Sequence, residues 1–147
     1  MMEDQATVAV LNELLALEQR NLAGRLLEST VFVSRLCVKD LNLVKRMAQA
    51  SAEHGAWLAE AIIGLDGVPG PRHGDVHTAD LHYLDLRHVL PRLITDHQNL
   101  IQKYTLAAAR IASESKANSV ASRILRHHQE ELDSLRQLPS ESVTAVS

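Results

Sequence analysis

Four segments of this chain combine a stripe of apolar residues at helical spacing with a polar break near the middle of the stripe. In the first segment, Leu11, Leu15 and Leu22 share one helix face with Glu18, because steps of three and four residues keep one side of a 3.6-residue period together. The polar members of the other three stripes are Ser51 and His54, then His97, then His128 and Glu131. A buried carboxylate or imidazole is costly unless it is compensated, so these breaks predict mutual hydrogen bonds or a shared ion.

The polar breaks are expected at matching heights in a bundle. Glu18 lies about as far before a first turn near 34–39 as His54 lies after it, which places the two side chains at one level of an antiparallel hairpin at about 1.5 Å rise per residue. His97 balances His128 and Glu131 in the same way around a second turn near 113–119. The spacing therefore predicts one central pocket.

The periodic segments predict an all-α fold with helices at about 5–32, 40–66, 86–113 and 119–138 and a loose tail at 139–147. The connection between the second and third helices is long and rich in Gly, Pro and His, whereas the other two are short. Two antiparallel hairpins joined by a crossover form a ferritin-like four-helix bundle, and an up-down-up-down bundle would not need so long a connection. We expect one domain over 1–147, with the third helix either beginning near His88 or kinked at Pro91.

The composition narrows the class of protein. Hydrophobic residues make up 46% of the chain, mostly Leu, Ala, Val and Ile, which favours helices. The single Cys37 excludes an internal disulfide and fits a reducing compartment. No segment reaches the ~18 apolar residues of a membrane span, and no secretory signal precedes the first helix, so a soluble cytoplasmic protein is expected. A net charge of −3 with mixed signs and few aromatic residues argues against nucleic acid as a partner.

Two segments resemble the first and second helices of bacterioferritin, a member of the ferritin-like di-metal carboxylate superfamily. They are Leu11-Asn-Glu-Leu-Leu-Ala-Leu-Glu18 and the stretch from His54 to Pro69, and a weaker likeness covers Ile124 to Leu132. The resemblance implies that Glu18 and His54 occupy positions of metal ligands. It also implies that no haem binds, because Ala52 stands where the haem-binding methionine of the family would fall.

The chain departs from the family pattern at the other ligand positions. Ser51 replaces a glutamate, His97 with Asp96 beside it replaces another, and the fourth helix carries His128-x-x-Glu131 in inverted order. Two cations with so little carboxylate charge are disfavoured, whereas a single ion with imidazole-rich ligation is easier to support. The predicted ligands of this ion, with iron or zinc the favoured metals, are Glu18, His54, His97, His128 and Glu131, with Asp96 as a third candidate carboxylate.

Three functions remain open from the sequence. The first is a ferritin-like metal-binding protein with ferroxidase-like activity, in which dioxygen is the oxidant. The second is a metal-free interaction module that forms a homodimer through its first two helices. The third, a zinc hydrolase, ranks last because no separate general base is evident. In all three, His127 is expected on the flank of its helix, and Trp57 and Tyr104 are expected at a helix or subunit interface.

Overall fold

The computed structural model of the chain describes residues 2–23, 38–70 and 86–138. Within them lie four helices, α1 (Met2–Gln19), α2 (Val38–Gly64), α3 (Leu86–Ala109) and α4 (Lys116–Arg136), and these residues contain no strand. The prediction of an all-α four-helix bundle is confirmed. The predicted tail at 139–147 lies outside the described residues.

Helix α1 ends at Gln19, the backbone is helical again at Leu22 and Ala23, and the predicted boundary near 32 lies outside the described residues. The amide of Arg20 donates to the carbonyls of Ala16 and Leu17, and that of Asn21 donates to Glu18, so the last turn of α1 tightens and the α-helix is interrupted. The side-chain oxygen of Asn21 then accepts from the amide of Ala23 at 2.9 Å. Asparagine competes for backbone hydrogen bonds in this way, which a count of apolar spacing does not register.

The turn between α3 and α4 comes earlier than predicted because two side chains secure it. Ser115 caps α4 by accepting from the amide of Asn118. The side-chain amide of Asn118 donates to the carbonyls of Ala108 and Ile111 at 2.8 and 3.2 Å, which provides hydrogen-bond donors for carbonyl groups at the end of α3. Helix α3 therefore ends at Ala109 and not near 113, and α4 begins at Lys116 and not near 119.

Two further boundaries differ slightly from the prediction. Helix α2 begins at Val38 rather than near 40 and ends at Gly64, after which Asp66 adopts a positive φ of 60°. The next residue, Gly67, packs so closely on α1 that an added Cβ would lie 2.7 Å from Val8 Cγ2. Helix α3 begins at Leu86, as its predicted range gives, and includes Pro91.

The contacts between helices define the topology. Val8 lies against Gly67 and Glu18 against Ser51, so α1 and α2 are antiparallel. The pair of His97 with Glu131, together with the Ala108 contact near the turn, makes α3 and α4 antiparallel.

The two hairpins also pack antiparallel, α1 against α3 and α2 against α4. Tyr104 of α3 and Arg110, just after α3, contact Glu18 and Glu13 of α1, respectively. On the other side, His54 and Trp57 of α2 contact His127 and Arg123 of α4. Helices α2 and α3 are therefore parallel and lie diagonally across the bundle. The end of α2 and the start of α3 are at opposite ends of the bundle, as a crossover connection requires.

The core consists of two apolar clusters with a polar layer between them. The layer interrupts every helix: Glu18 falls between Leu15 and Leu22, and His54 between Met47 and Leu58. The larger cluster fills the end of the bundle near the α3–α4 turn, and the smaller one fills the opposite end. Among the described residues, no helix combines the length and the apolar character of a membrane span.

Candidate metal centre

Five buried residues from all four helices meet in the polar layer. They are Glu18, His54, His97, His128 and Glu131, none of them more than 7% exposed. Hydrogen bonds join them in the order His54, Glu18, His128, Glu131, His97. The structure thus brings together five of the six residues that the sequence singled out, although their role as ligands stays a prediction.

Glu18 is the centre of the first half of the cluster. Its Oε1 atom lies 2.6 Å from His128 Nε2 and 3.2 Å from His54 Nδ1, and it accepts a hydrogen bond from the Tyr104 hydroxyl at 2.8 Å. Its Oε2 atom accepts from Ser51 Oγ at 2.6 Å. Both carboxylate oxygens are therefore held by other helices.

Glu131 is the centre of the second half. Its Oε1 atom lies 2.8 Å from His128 Nδ1 and 3.1 Å from His97 Nε2. His128 consequently stands between two carboxylates, with one ring nitrogen toward each. The inverted order His128-x-x-Glu131 produces this arrangement, because residues three apart on α4 lie on one face of the helix.

Asp96 does not join the cluster, which corrects its prediction as a ligand. Its carboxylate lies 3.4 Å from Arg92 on the same helix, and its side chain is 33% exposed. One residue along a helix turns the side chain by about 100°, so a residue adjacent to the buried His97 points to the flank. Three histidines of the long connection between α2 and α3, His73, His77 and His82, lie outside the described residues.

His127 was expected on a flank without a role, yet it touches the cluster. Its Nδ1 atom lies 2.7 Å from His54 Nε2, although the residue is only half-buried. Above the His54 ring, Trp57 packs at 5.4 Å between centroids, and Arg123 stacks on Trp57 at 4.2 Å. No pattern within α4 indicated the His127 contact, because it depends on how closely α2 approaches.

Tyr104 was expected at a helix or subunit interface, and it lies in the core between α3 and α1. It is fully buried and donates to Glu18. The sequence signal was its position two helical turns after His97 on the same apolar stripe. Ser51, which the family pattern marked as a lost ligand, likewise holds Glu18 by donating to that residue's side chain.

The charges in the layer are strongly coupled. Burial alone would raise the pKa values of both glutamates, but hydrogen bonds from His128 and His54 hold the pKa of Glu18 far below its usual range, and those from His128 and His97 lower the pKa of Glu131 to about 2. Burial disfavours the His128 imidazolium, yet its two carboxylate partners raise the pKa of His128 to about 9. Burial and the Glu18 charge raise the pKa of Tyr104, which keeps it a neutral donor.

The cluster contains two overlapping groups whose donor atoms can hold a metal ion. Glu18, His54 and His128 form one, and His97, His128 and Glu131 form the other. Within each group the donor atoms lie within 4.8 Å of one another. Both groups use His128, one through each ring nitrogen.

A cavity on the α1–α2 face leads toward the first group. Its volume is about 430 Å³, and Glu18, Asn21 and Ser51 are among its lining residues. Small side chains of α2, including Ala52 and Gly55, leave this space open. The cavity provides an access path from solvent to the polar layer.

Comparison with known proteins finds no match to this chain among protein-family models, curated proteins or solved structures. The geometry and charge of the polar layer are therefore what indicates a function for this chain.

Proposed function

We propose that this protein binds one divalent transition-metal ion in the polar layer. The observation that carries the proposal is the donor set, which consists of two buried carboxylates and three buried imidazoles from four helices, with the donor atoms of each of two groups within 4.8 Å of one another. The lowered pKa values of Glu18 and Glu131 keep both carboxylates charged, and a buried charge without compensation is costly, which favours a cation.

The charge balance also favours one ion over two. A divalent ion that displaces the His128 proton balances the two negative charges of Glu18 and Glu131. A second divalent ion would leave a surplus of two positive charges in the core. Neutral imidazole and carboxylate donors suit zinc, iron, nickel and copper, and iron and zinc are the metals we propose.

The resemblance of two segments to bacterioferritin supports a ferritin-like relationship and an extension of the proposal to iron. In this form, the residues of the polar layer would hold Fe²⁺, and the ion would supply one-electron chemistry in which Fe²⁺ is oxidised to Fe³⁺ and dioxygen is reduced to superoxide. Because the ligand set of a di-iron centre is incomplete here, the activity is expected to be slow. The cavity beside Glu18 is wide enough for dioxygen and water to approach.

A second candidate is a metal-free module that dimerises through α1 and α2. It is favoured by the hydrogen bonds that the polar residues of the layer make with one another, from His54 through Glu18, His128 and Glu131 to His97. A network of this kind can fix the register of four helices without an ion. Metal content distinguishes the two candidates.

Metal analysis and titration test the proposal. Protein purified without chelator or added metal is analysed for its elements, then stripped and titrated with Zn²⁺ and, without oxygen, with Fe²⁺ by calorimetry. We expect one ion per chain, and His54→Ala should weaken binding strongly. Asp96→Asn is the matched control, because Asp96 pairs with Arg92 outside the cluster. Protein that contains no metal as purified and binds neither ion would leave the metal-free module.

A further inference from the structure

We propose that the ion is bound by Glu18, His54 and His128, and that Glu131, His97 and His127 form an outer layer that positions these ligands. The inference rests on the proposed function and adds to it the choice between two overlapping groups. It also changes the sequence-based expectation, in which Glu131 and His97 were themselves ligands.

The two groups exclude each other because they share one imidazole. A neutral imidazole has one nitrogen with a lone pair and one N–H. If His128 Nε2 binds an ion beside Glu18, then Nδ1 carries the proton and donates it to Glu131 at 2.8 Å. If Nδ1 binds an ion beside Glu131, the proton lies on Nε2 and points at Glu18. Only one group can therefore use the neutral His128 as a ligand at a time.

The group around Glu18 has a partner for each ligand on the side away from the ion. His128 Nδ1 has Glu131 at 2.8 Å, and His54 Nε2 has His127 Nδ1 at 2.7 Å. The second oxygen of Glu18 has Ser51 at 2.6 Å. Metal-binding histidines almost always donate their other N–H to such an acceptor, which fixes the tautomer and the ring orientation.

The group around Glu131 lacks this support. Within the described part of the chain, no hydrogen bond holds the Nδ1 atom of His97, and none holds the Oε2 atom of Glu131. The bond of His97 Nε2 to Glu131 Oε1 at 3.1 Å fits a donor that steadies the carboxylate behind His128.

The positions of the two carboxylates follow from this assignment. Glu18 binds the ion directly, and Glu131 accepts the proton of a ligand, which increases the basicity of that ligand. Both charges remain within the layer, so the neutrality of the cluster with one divalent ion is preserved. His127 is the positioning residue for His54 in the same way that Glu131 is for His128.

Histidine ¹⁵N NMR of the wild-type protein titrated with Zn²⁺ tests the assignment directly. We expect Zn²⁺ at His128 Nε2 and His54 Nδ1, with protons on His128 Nδ1 and His54 Nε2, and no Zn²⁺ at His97. Zn²⁺ at His97 Nε2 and His128 Nδ1 would overturn the assignment and leave the metal-binding function intact. A wild-type protein that does not bind Zn²⁺ would instead overturn the proposed function, and this inference with it.

Substitution of the outer carboxylate provides a second test. Glu131→Gln keeps an oxygen acceptor for His128, so Zn²⁺ should bind through the same nitrogens with about 10–100-fold lower affinity. Glu130→Gln, at the exposed adjacent position, is the matched control and should leave the affinity unchanged. A Glu131→Gln protein in which Zn²⁺ moves to other nitrogens, or binds as tightly as in the wild type, would contradict the positioning role.

Discussion

His54 and Leu58 lie one turn apart on α2, both are fully buried, and they meet the same requirement for burial in different ways. Leu58 belongs to the larger apolar cluster, where removal of surface from water stabilises the fold without regard to direction. His54 is held through both ring nitrogens, by Glu18 on α1 and His127 on α4. The stability of the apolar clusters therefore depends on the volume that their side chains fill, whereas the stability of the polar layer depends on the presence and orientation of each hydrogen-bond partner.

The largest expected effect is the loss of the central carboxylate. In metal-free protein, Glu18→Ala leaves the Tyr104 hydroxyl and His128 Nε2 without their buried partner and should lower the free energy of unfolding by about 3–5 kcal/mol. Urea denaturation measures this change. Leu58→Ala, at about 2–5 kcal/mol, is the reference for the apolar layer, and Glu13→Ala on the exposed face should cost less than about 1 kcal/mol. A Glu18→Ala cost as small as that of Glu13→Ala would remove the distinction between the layers.

Metal should stabilise the polar layer and leave the apolar layers unaffected. At about 100 times the dissociation constant, an ion that binds only the folded protein adds about 2.7 kcal/mol to the free energy of unfolding. Chelation should lower the melting temperature of the wild type, and His54→Ala should abolish this sensitivity. Leu58→Ala serves as the control, because it should lower the melting temperature and keep the response to chelator. An equal melting temperature with and without chelator in metal-loaded wild type would contradict the prediction.

The pH dependence of metal binding should follow His128. Its pKa of about 9 in the fold exceeds the ordinary value of 6.5, so its ion pairs stabilise the metal-free fold fully below pH 6.5, and this stabilisation is lost as the pH rises through about 9. An ion must displace the same proton, so its affinity should rise by about tenfold per pH unit over that interval. Titrations with Zn²⁺ between these pH values measure the slope. A flat profile would mean that the ion displaces no proton from His128.

The smallest expected effect concerns the carboxylate that the structure places outside the layer. Asp96→Asn removes an exposed pair with Arg92 at a spacing of four residues, which is worth about 0.3–0.5 kcal/mol. Denaturation should register this difference at the limit of detection, and metal affinity should be unchanged. A marked loss of affinity would return Asp96 to the set of candidate ligands.

The sequence predicted the parts of this structure that follow from helical period. The four stripes, the matching heights of the polar breaks and the crossover arrangement needed only spacing and connection length. The interruption of the first helix after Gln19 was not predicted, because Asn21 and Ser51 form hydrogen bonds with backbone groups around it that apolar spacing does not indicate. Side-chain contacts between helices could not be predicted from spacing either, since the contact of His127 with His54 depends on how closely α2 and α4 approach each other.

The hydrogen bonds of Glu18 also have a consequence for folding kinetics. They reach residues 33, 36, 86 and 110 positions away along the chain, in a bundle whose helices form from local contacts. Contacts of long sequence separation form late, because loop closure must precede them. Each hairpin can thus assemble with its polar residues still in water, at little cost. When the hairpins dock, any slip along the helix axes would bury these groups without partners, so we expect misaligned bundles to dissociate and the aligned one to persist.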